Sequence, residues 1–445
     1  MTAAQPAGTA RQIVGLALPI LATSLVDIVM STVDTAVIGR LGAVSLAGAA
    51  LVAGVYLACS QVMAGFAVGF QILVARRLGG DDRAGAAALL RPLLLWGMAL
   101  AASIAALVTG SAYWLVRLFA VAEPVAVEAT AYLQVRVWSL VPFVVVLLAR
   151  MFLQCDRKPG LGLRIIVLAQ AVNAALTPAL AFGWLGPRLG IRGVAIASVL
   201  AMAVAAYLLL RKVRQLLPEL ALPVRSRSGL ADALRLGVPE GINAALDYAG
   251  NLVFVGLIAV IGTAALAAGQ LAIVVVMILF VVCMSFAVAV QILMSRRLGG
   301  GGDANELRQF YRQSQRFLVL IGLTLAVTSP AWARGVAYLL SDEPVVRAAA
   351  YRPLIVVGVA VVFMMLATHA TAGLRALQRT REVMTINVAA VWLVQLPLAF
   401  AAVRAGGSHA LAWVMGAYVG YFAVRAAVGD LLVRRRLGLM VAPAT

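Results

Sequence analysis

Apolar segments of about 20 residues or more recur along the whole chain, and short polar breaks separate them. A helix needs about 20 apolar residues to cross the hydrocarbon core of a bilayer, so each segment predicts one membrane span. We place twelve spans, at 13–38, 46–74, 86–112, 125–152, 162–183, 192–211, 236–260, 266–293, 314–338, 348–374, 383–403 and 409–430. The predicted fold class is an all-α integral membrane protein with twelve transmembrane helices.

The order of spans and motifs repeats at an offset of 220 residues. The repeat is carried by Gln71–Gly80 with Gln291–Gly300, Pro19 with Pro239, Asp27 with Asp247, and Gly42 with Gly262. Each half is a unit of six helices, and because six is even the two halves insert in the same orientation. We therefore predict two homologous lobes around a central cleft near the membrane midplane. The N-terminal lobe covers 1–215, a cytoplasmic linker with Pro218 and Pro223 covers 216–235, and the C-terminal lobe covers 236–445.

Composition and charge agree with a membrane protein and exclude a nucleic-acid binder. Hydrophobic residues make up 63% of the chain and charged residues 12%, against about 45–50% and 25% in soluble domains. The net charge of +19 comes from cations in short loops, and 27 of the 36 lie on one set of loops and both tails. The positive-inside rule then predicts a multi-pass protein of the cell membrane with both termini cytoplasmic. The partner that this composition predicts is the lipid bilayer, and we expect a monomer.

The first span carries two carboxylates on one face. Thr23, Asp27, Ser31 and Asp34 fall within an arc of roughly 80° on a helix with about 100° per residue. A charged side chain at mid-membrane costs about 2.5–3.5 kcal/mol on insertion scales, so this face must meet protein or water. We interpret it as a cation site, in which Asp34 binds H⁺ or Na⁺ and Asp27 assists. The alternative is a structural aspartate satisfied by neighbouring hydroxyls.

A second polar face lies on the fifth span, where Gln170, Asn173 and Thr177 precede Pro178. Amide and hydroxyl oxygens suit a hard monovalent cation or a hydrogen-bond network around a titrating acid. The alternative is an ordinary patch of hydrogen bonds between helices. We assign Asn173 and Thr177 to the cation-coupling site, with Asn173 opposite Asp34.

In the second half, the four positions that match the polar face of the first span are polar at three positions and apolar at the fourth. Asn243, Asp247 and Asn251 form a candidate cation or substrate site, whereas Phe254 replaces Asp34. Whatever requires Asp34 is therefore done in one lobe. Arg136, inside the fourth span, is interpreted as structural with Glu128 as its partner.

These motifs resemble the multidrug and toxic compound extrusion (MATE) transporters over essentially the whole length. The resemblance rests on Val33–Gly39 with Leu41-Gly42, on Gln71–Gly79 with the acidic pair after it, on Ile261–Gly269 and on Gly373–Thr380. It implies a secondary active exporter of multiple drugs or other cationic and amphipathic compounds, working by H⁺ or Na⁺ antiport and alternating access. No cofactor is implied beyond the coupling ion.

Two branches of that family share features with this chain, and we favour the DinF-like branch. In that branch an aspartate of the first helix couples transport, and a proline 15 residues earlier bends the helix. Asp34 and Pro19 match both features, but Thr177 stands where the branch often has an acid. The NorM-like branch has an acid eight residues after a proline in the seventh helix, which Pro239 and Asp247 match.

Other functions fit the sequence less well. A flippase for lipid-linked or amphipathic metabolites should carry several cations toward its cavity, and few cations lie mid-span here. A carrier of the major facilitator type is a further alternative. An enzyme would need a cluster of metal ligands or a nucleophile, yet the chain has two histidines without metal-ligand spacing and three scattered cysteines. We therefore predict a transporter and not an enzyme.

Overall fold

A computed structural model describes residues 6–184, 186–221, 228–407 and 409–439. The described chain is helical throughout and forms no strand. Its α-helices are α1 (Pro6–Leu41), α2 (Ala43–Gly79), α3 (Arg83–Arg117), α4 (Glu123–Arg136), α5 (Leu140–Cys155), α6 (Pro159–Phe182), α7 (Ile191–Leu216), α8 (Ser228–Ile261), α9 (Thr263–Gly299), α10 (Ala304–Val327), α11 (Ser329–Leu340), α12 (Pro344–Ala376), α13 (Thr380–Ala390), α14 (Leu396–Ala405) and α15 (Ala410–Leu439).

Among the described helices, eleven are long and apolar enough to cross a membrane, and one bent pair makes a twelfth. One 3₁₀ turn, Val137–Ser139, joins α4 to α5, and one π-helical turn, Val391–Gln395, joins α13 to α14. The bent pair is α10 and α11, which meet at 63° around Thr328. Pro330 follows directly and cannot donate a backbone hydrogen bond, which explains why the helix breaks there. The predicted twelve-helix, all-α architecture is confirmed.

The repeated loops have repeated local causes. Asp82 accepts a hydrogen bond from the Gly85 backbone N–H at 2.7 Å and caps α3, while Asp303 accepts one from Glu306 at 2.6 Å and caps α10. Gly42 and Gly262, which precede α2 and α9, have φ of +126° and +138°. Only glycine adopts such a conformation without strain, so the repeat conserves the turn as well as the spans.

The chain forms two compact units. The N-terminal unit is Pro19–Gly241, and the C-terminal unit is Met1–Leu18 with Ile242–Thr445. The boundaries therefore fall inside α1 and α8, close to Pro19 and Pro239, whereas the predicted lobes meet at the linker. Residues 222–227 of that linker, including Pro223, lie outside the described residues. Pro218–Ala221 forms a 3₁₀ turn before them.

Within the N-terminal unit, α2 and the first turns of α8 pack backbone against backbone. A Cβ added to Gly65 would lie 2.6 Å from the Gly241 Cα, and one added to Gly69 would lie 2.1 Å from the Ala233 carbonyl oxygen. The small residues at 65 and 69 are therefore what allows the two backbones to approach so closely. This packing attaches the part of α8 up to Gly241 to the N-terminal unit, and the rest of α8 belongs to the C-terminal unit.

Gly69→Ala is expected to lower the free energy of unfolding by about 1–3 kcal/mol, because a backbone carbonyl cannot move aside for the new methyl group. Thermal melting in detergent measures the loss. Gly54→Ala in the same helix is the matched control, since nothing lies within 4 Å of its added Cβ. Equal melting temperatures for the two variants would contradict this account of the packing.

Candidate functional site

The N-terminal unit encloses a cavity of about 590 Å³ among α1, α2, α4, α5, α6 and α7. Most of its wall is apolar, with small residues from α2 and α7. The polar and charged side chains on the wall are Asp27, Ser31, Asp34, Thr35, Tyr56, Ser60, Tyr132, Arg136, Arg150, Gln170, Asn173 and Ser198. The predicted polar face of α1 therefore lies toward this cavity.

Asp34 lies on the cavity wall and accepts hydrogen bonds from three neutral side chains. Asn173 Nδ2 donates to Oδ1 at 3.1 Å, Thr177 Oγ1 donates to Oδ1 at 3.3 Å, and Ser198 Oγ donates to Oδ2 at 3.4 Å. Asn173 and Thr177 are buried on α6, as the one-turn spacing of the second polar face predicts. No described cation forms an ion pair with Asp34.

The donor set around Asp34 consists of one carboxylate with hydroxyl and amide groups. The described residues contain no group of three or more His, Cys, Asp and Glu side chains that could hold a metal ion together. Thr177 Oγ1 also lies 3.3 Å from Asn173 Oδ1, and its single proton can serve only one acceptor at a time. The cluster can therefore rearrange its hydrogen bonds when the charge of the carboxylate changes. A single negative charge with neutral oxygens suits H⁺, Na⁺ or an organic cation.

Asp27, one of the predicted coupling residues, forms an ion pair on the same wall. Arg150 Nη1 lies 3.0 Å from Asp27 Oδ2, and Gln170 Nε2 donates to Oδ1 at 3.3 Å. The Asp27 side chain is 42% exposed, so both charges remain partly hydrated in the cavity. Asp27 thus has an ion-pair partner of its own, whereas no described cation lies within ion-pair distance of Asp34.

Arg136 also lies on the cavity wall, and its expected partner Glu128 is elsewhere. Its guanidinium carbon is 4.7 Å from the centre of the Tyr56 ring, which is a cation–π distance. Glu128 instead accepts a hydrogen bond from Ser45 at 3.0 Å. The predicted pairing of Arg136 with Glu128 is therefore wrong.

The sequence did not identify Ser198, Arg136 and Arg150, among other polar residues of the wall, as part of this site. Ser198 is a lone hydroxyl on the apolar helix α7 and carries no local signal. Arg150 lies near the end of α5, and from the sequence a cation at this position could equally well belong to the cytoplasmic loop that follows. Thr23, by contrast, was predicted on the polar face but is buried, and its hydroxyl bonds the Pro19 carbonyl at 2.7 Å.

Comparisons with known proteins identify the family of this chain. The MatE family model matches residues 19–179 and 239–401, one stretch in each half of the repeat. The chain belongs to the MatE family. It is 30% identical to a probable multidrug resistance protein NorM of Pseudomonas aeruginosa, over 91% of this chain and 85% of that protein. It is 27% identical to an FAD transporter of Shewanella oneidensis, over 87% of each chain.

Solved structures share the fold of this MatE protein. The MATE transporter VcmN of Vibrio cholerae in its bent form superposes with a TM-score of 0.90, at 20% identity and with 98% of both chains covered. Membership of the MatE family makes the chain a multi-pass membrane transporter and not an enzyme. Family membership also removes the alternative of a carrier of the major facilitator type.

The C-terminal unit of this MatE protein is built differently at the corresponding positions. Asp247 accepts a hydrogen bond from the Tyr421 hydroxyl at 3.3 Å, and that hydroxyl accepts one from Arg425 Nη1. Arg425 is only 5% exposed. Of the other predicted second-lobe residues, Asn251 is half-buried, and Asn243 is buried with no hydrogen-bond partner for Oδ1 among the described residues.

The repeat explains why the two units differ. At the offset of 220, Ser198, Ala201 and Ala205 on the N-terminal cavity correspond to Tyr418, Tyr421 and Arg425. Phe254, which replaces Asp34, is fully buried and packs against Tyr418 with ring centres 4.9 Å apart. Small residues thus line the space in one unit, and large side chains fill the matching positions in the other.

Proposed function

We propose that this chain exports small cationic or amphipathic compounds across the cell membrane by antiport with H⁺ or Na⁺, and that Asp34 is the coupling residue. One observation carries the proposal. A carboxylate that forms no ion pair with a described cation, and that accepts hydrogen bonds from three neutral donors, lines a cavity of about 590 Å³ inside a bundle of membrane helices. The similarity to proteins named as probable multidrug resistance proteins supports the same substrate class.

The coupling follows from a single shared charge. A proton, a sodium ion or the cationic group of a substrate can each neutralise Asp34, but only one of them can do so at a time. Binding of one therefore weakens binding of the others, and this thermodynamic coupling is reciprocal. When the site is open to opposite sides in turn, the downhill entry of the coupling ion displaces the substrate outward.

Transport by the purified protein in proteoliposomes tests the proposal. Movement of ethidium is followed by fluorescence while an H⁺ gradient or a Na⁺ gradient is imposed separately. We expect transport against the ethidium gradient under at least one of the two ion gradients, in the absence of ATP. Ethidium movement that is independent of both gradients would overturn the proposed antiport, and the comparison of gradients identifies the ion.

Pro19 is proposed as the position where α1 bends during transport. The helix runs through this proline, which cannot donate to the Gly15 carbonyl one turn earlier. The boundary between the two compact units also falls between Leu18 and Pro19. A missing backbone bond at a unit boundary is a point of low resistance to bending.

Pro19→Ala is expected to restore that bond and to slow gradient-driven export about tenfold, or about 1.4 kcal/mol on the barrier. Ethidium affinity should change little, because the proline is not on the cavity wall. Pro92→Ala in α3 is the control, since it removes another proline inside a helix of the same unit. Equal slowing by both changes would argue against a specific role of Pro19.

A further inference from the structure

The cavity of the N-terminal unit carries balanced charges, with two carboxylates and two guanidinium groups in its lining. Asp27 and Arg150 neutralise each other as an ion pair at 3.0 Å. Asp34 and Arg136 remain, and neither has an ion-pair partner among the described residues. The space that a substrate would enter is therefore lined by one negative and one positive group, neither of which is held in an ion pair.

Arg136 is held in place without an anion. Its guanidinium lies over the Tyr56 ring, with 4.7 Å from the guanidinium carbon to the ring centre. The Tyr56 hydroxyl accepts a hydrogen bond from Ser139 at 3.0 Å, and Ser139 is fully buried. The hydrogen bond to Ser139 thus fixes the Tyr56 ring, and the ring keeps the guanidinium of Arg136 in the cavity lining.

A guanidinium held in this way can still bind an anionic group of a ligand through its N–H donors. Its planar set of donors matches the two oxygens of a carboxylate, and such paired hydrogen bonds are stronger than those between neutral groups. Removing a charge from water is costly when no counter-charge is supplied. A ligand that brings an anionic group to Arg136 would offset that cost.

We propose that the site takes zwitterionic amphipathic compounds in preference to simple cations, with the cationic group at Asp34 and a carboxylate at Arg136. A simple cation would leave Arg136 unpaired and would be repelled by it. A simple anion would meet the same repulsion from Asp34. The apolar part of the ligand would contact Ala50, Phe143 and Met202 on the same wall.

This preference rests on the proposed function, because it assigns a substrate class to the same cavity. It does not alter the exchange at Asp34. The cationic group of the zwitterion still competes with the coupling ion for the single carboxylate, and the carboxylate of the ligand only adds affinity. Arg136 is therefore a specificity-determining residue.

A matched pair of dyes tests the inference. Tetramethylrhodamine with a free carboxylate is a zwitterion, and its methyl ester is a cation of nearly the same shape. Binding of each dye to the purified protein in detergent is measured by fluorescence polarisation. We expect the wild type to bind the zwitterion about tenfold more tightly, which corresponds to about 1.4 kcal/mol. Equal or tighter binding of the ester by the wild type would overturn the inference without any variant.

The variants then locate the preference. Arg136→Gln should bring the ratio of the two affinities to about one, whereas Arg136→Lys should keep part of the preference because it retains the charge. An unchanged ratio in Arg136→Gln overturns the assignment to Arg136. If the ester is still exported under an ion gradient in that case, the proposed antiport stands. If neither dye moves under any gradient while the binding ratio behaves as expected, the antiport fails and the zwitterion site stands.

Discussion

Asp34→Asn is expected to abolish ion-coupled export, with a loss of about 100-fold or more in gradient-driven transport. Asparagine keeps the size of the side chain and an oxygen that can accept from Asn173, but it removes the negative charge. Without that charge the coupling ion and the substrate no longer compete for one site, so an ion gradient cannot drive export. A 100-fold loss corresponds to about 2.7 kcal/mol. The measurement is ethidium transport in proteoliposomes under an H⁺ or a Na⁺ gradient.

Ser198→Ala is the matched control for this variant, because it removes one hydrogen bond to the same carboxylate and keeps the charge. A hydrogen bond to a charged group contributes about 1.5–3 kcal/mol at good geometry, but this one is long at 3.4 Å, so its loss should cost about 1 kcal/mol, or about fivefold in transport. The two variants together distinguish the effect of the negative charge from the effect of one hydrogen bond to it. Export by Asp34→Asn at the wild-type rate under either gradient would refute the coupling role of Asp34.

Much of this site could be predicted from the sequence because its residues are polar in an apolar context. A carboxylate in a membrane span needs polar partners, and the one-turn spacing of polar residues defines one polar face on α1 and one on α6. We expect two such faces to meet inside the bundle. The structure accordingly brings Asn173 and Thr177 to Asp34. Their role in coupling stays a prediction, as does the choice between a DinF-like and a NorM-like scheme.

The missed residues show where such reasoning ends. Arg136 and Arg150 have side chains long enough to lie in a cavity or to reach a membrane surface, and the sequence does not distinguish these positions. Ser198 gives no signal within α7, since one serine in an apolar helix is common. The internal repeat does mark this helix face, because Ser198 corresponds to Tyr418 and Ala205 to Arg425.

The fold was predictable to the level of spans and less so inside them. Twelve apolar segments of sufficient length predict twelve helices, because the length and apolar composition of each segment are enough for the prediction. The 3₁₀ turn at Val137–Ser139 lies in an apolar run and has no sequence signal. The bend at Thr328 does have one, in Ser329-Pro330, yet a single span over 314–338 was predicted there. The unit boundaries inside α1 and α8 depend on packing of distant helices, which spacing along the chain does not record.

The contrast between Asp27 and Asp247 shows how the repeat was adapted in each unit. Both carboxylates occupy the same position of the repeat, and each has an arginine nearby. Arg150 and Asp27 face a cavity, with side chains 20% and 42% exposed. Arg425 is buried, bonds the Tyr421 hydroxyl, and lies within 6 Å of the centres of the Tyr421 and Phe422 rings. The same acid should therefore affect stability far more in the C-terminal unit.

Asp247→Asn is expected to lower the free energy of unfolding by about 2–3 kcal/mol, because it removes the anion that balances a buried guanidinium. Thermal melting in detergent should show a decrease of several degrees. The double variant Asp247→Asn with Arg425→Met should recover most of the loss, since it also removes the unbalanced charge. Gradient-driven export by the folded single variant should stay within about threefold of wild type.

Asp27→Asn provides the matched control from the other half of the repeat. An ion pair that is partly exposed contributes about 0–1 kcal/mol, so this variant should melt close to the wild type. The opposite pattern, with a stable Asp247→Asn that has lost its ion coupling, would move a coupling site into the C-terminal unit. Asp247, Asn243 and Asn251 would then form the cation site that their shared face on α8 predicts, and the buried Arg425 would compete with the transported ion.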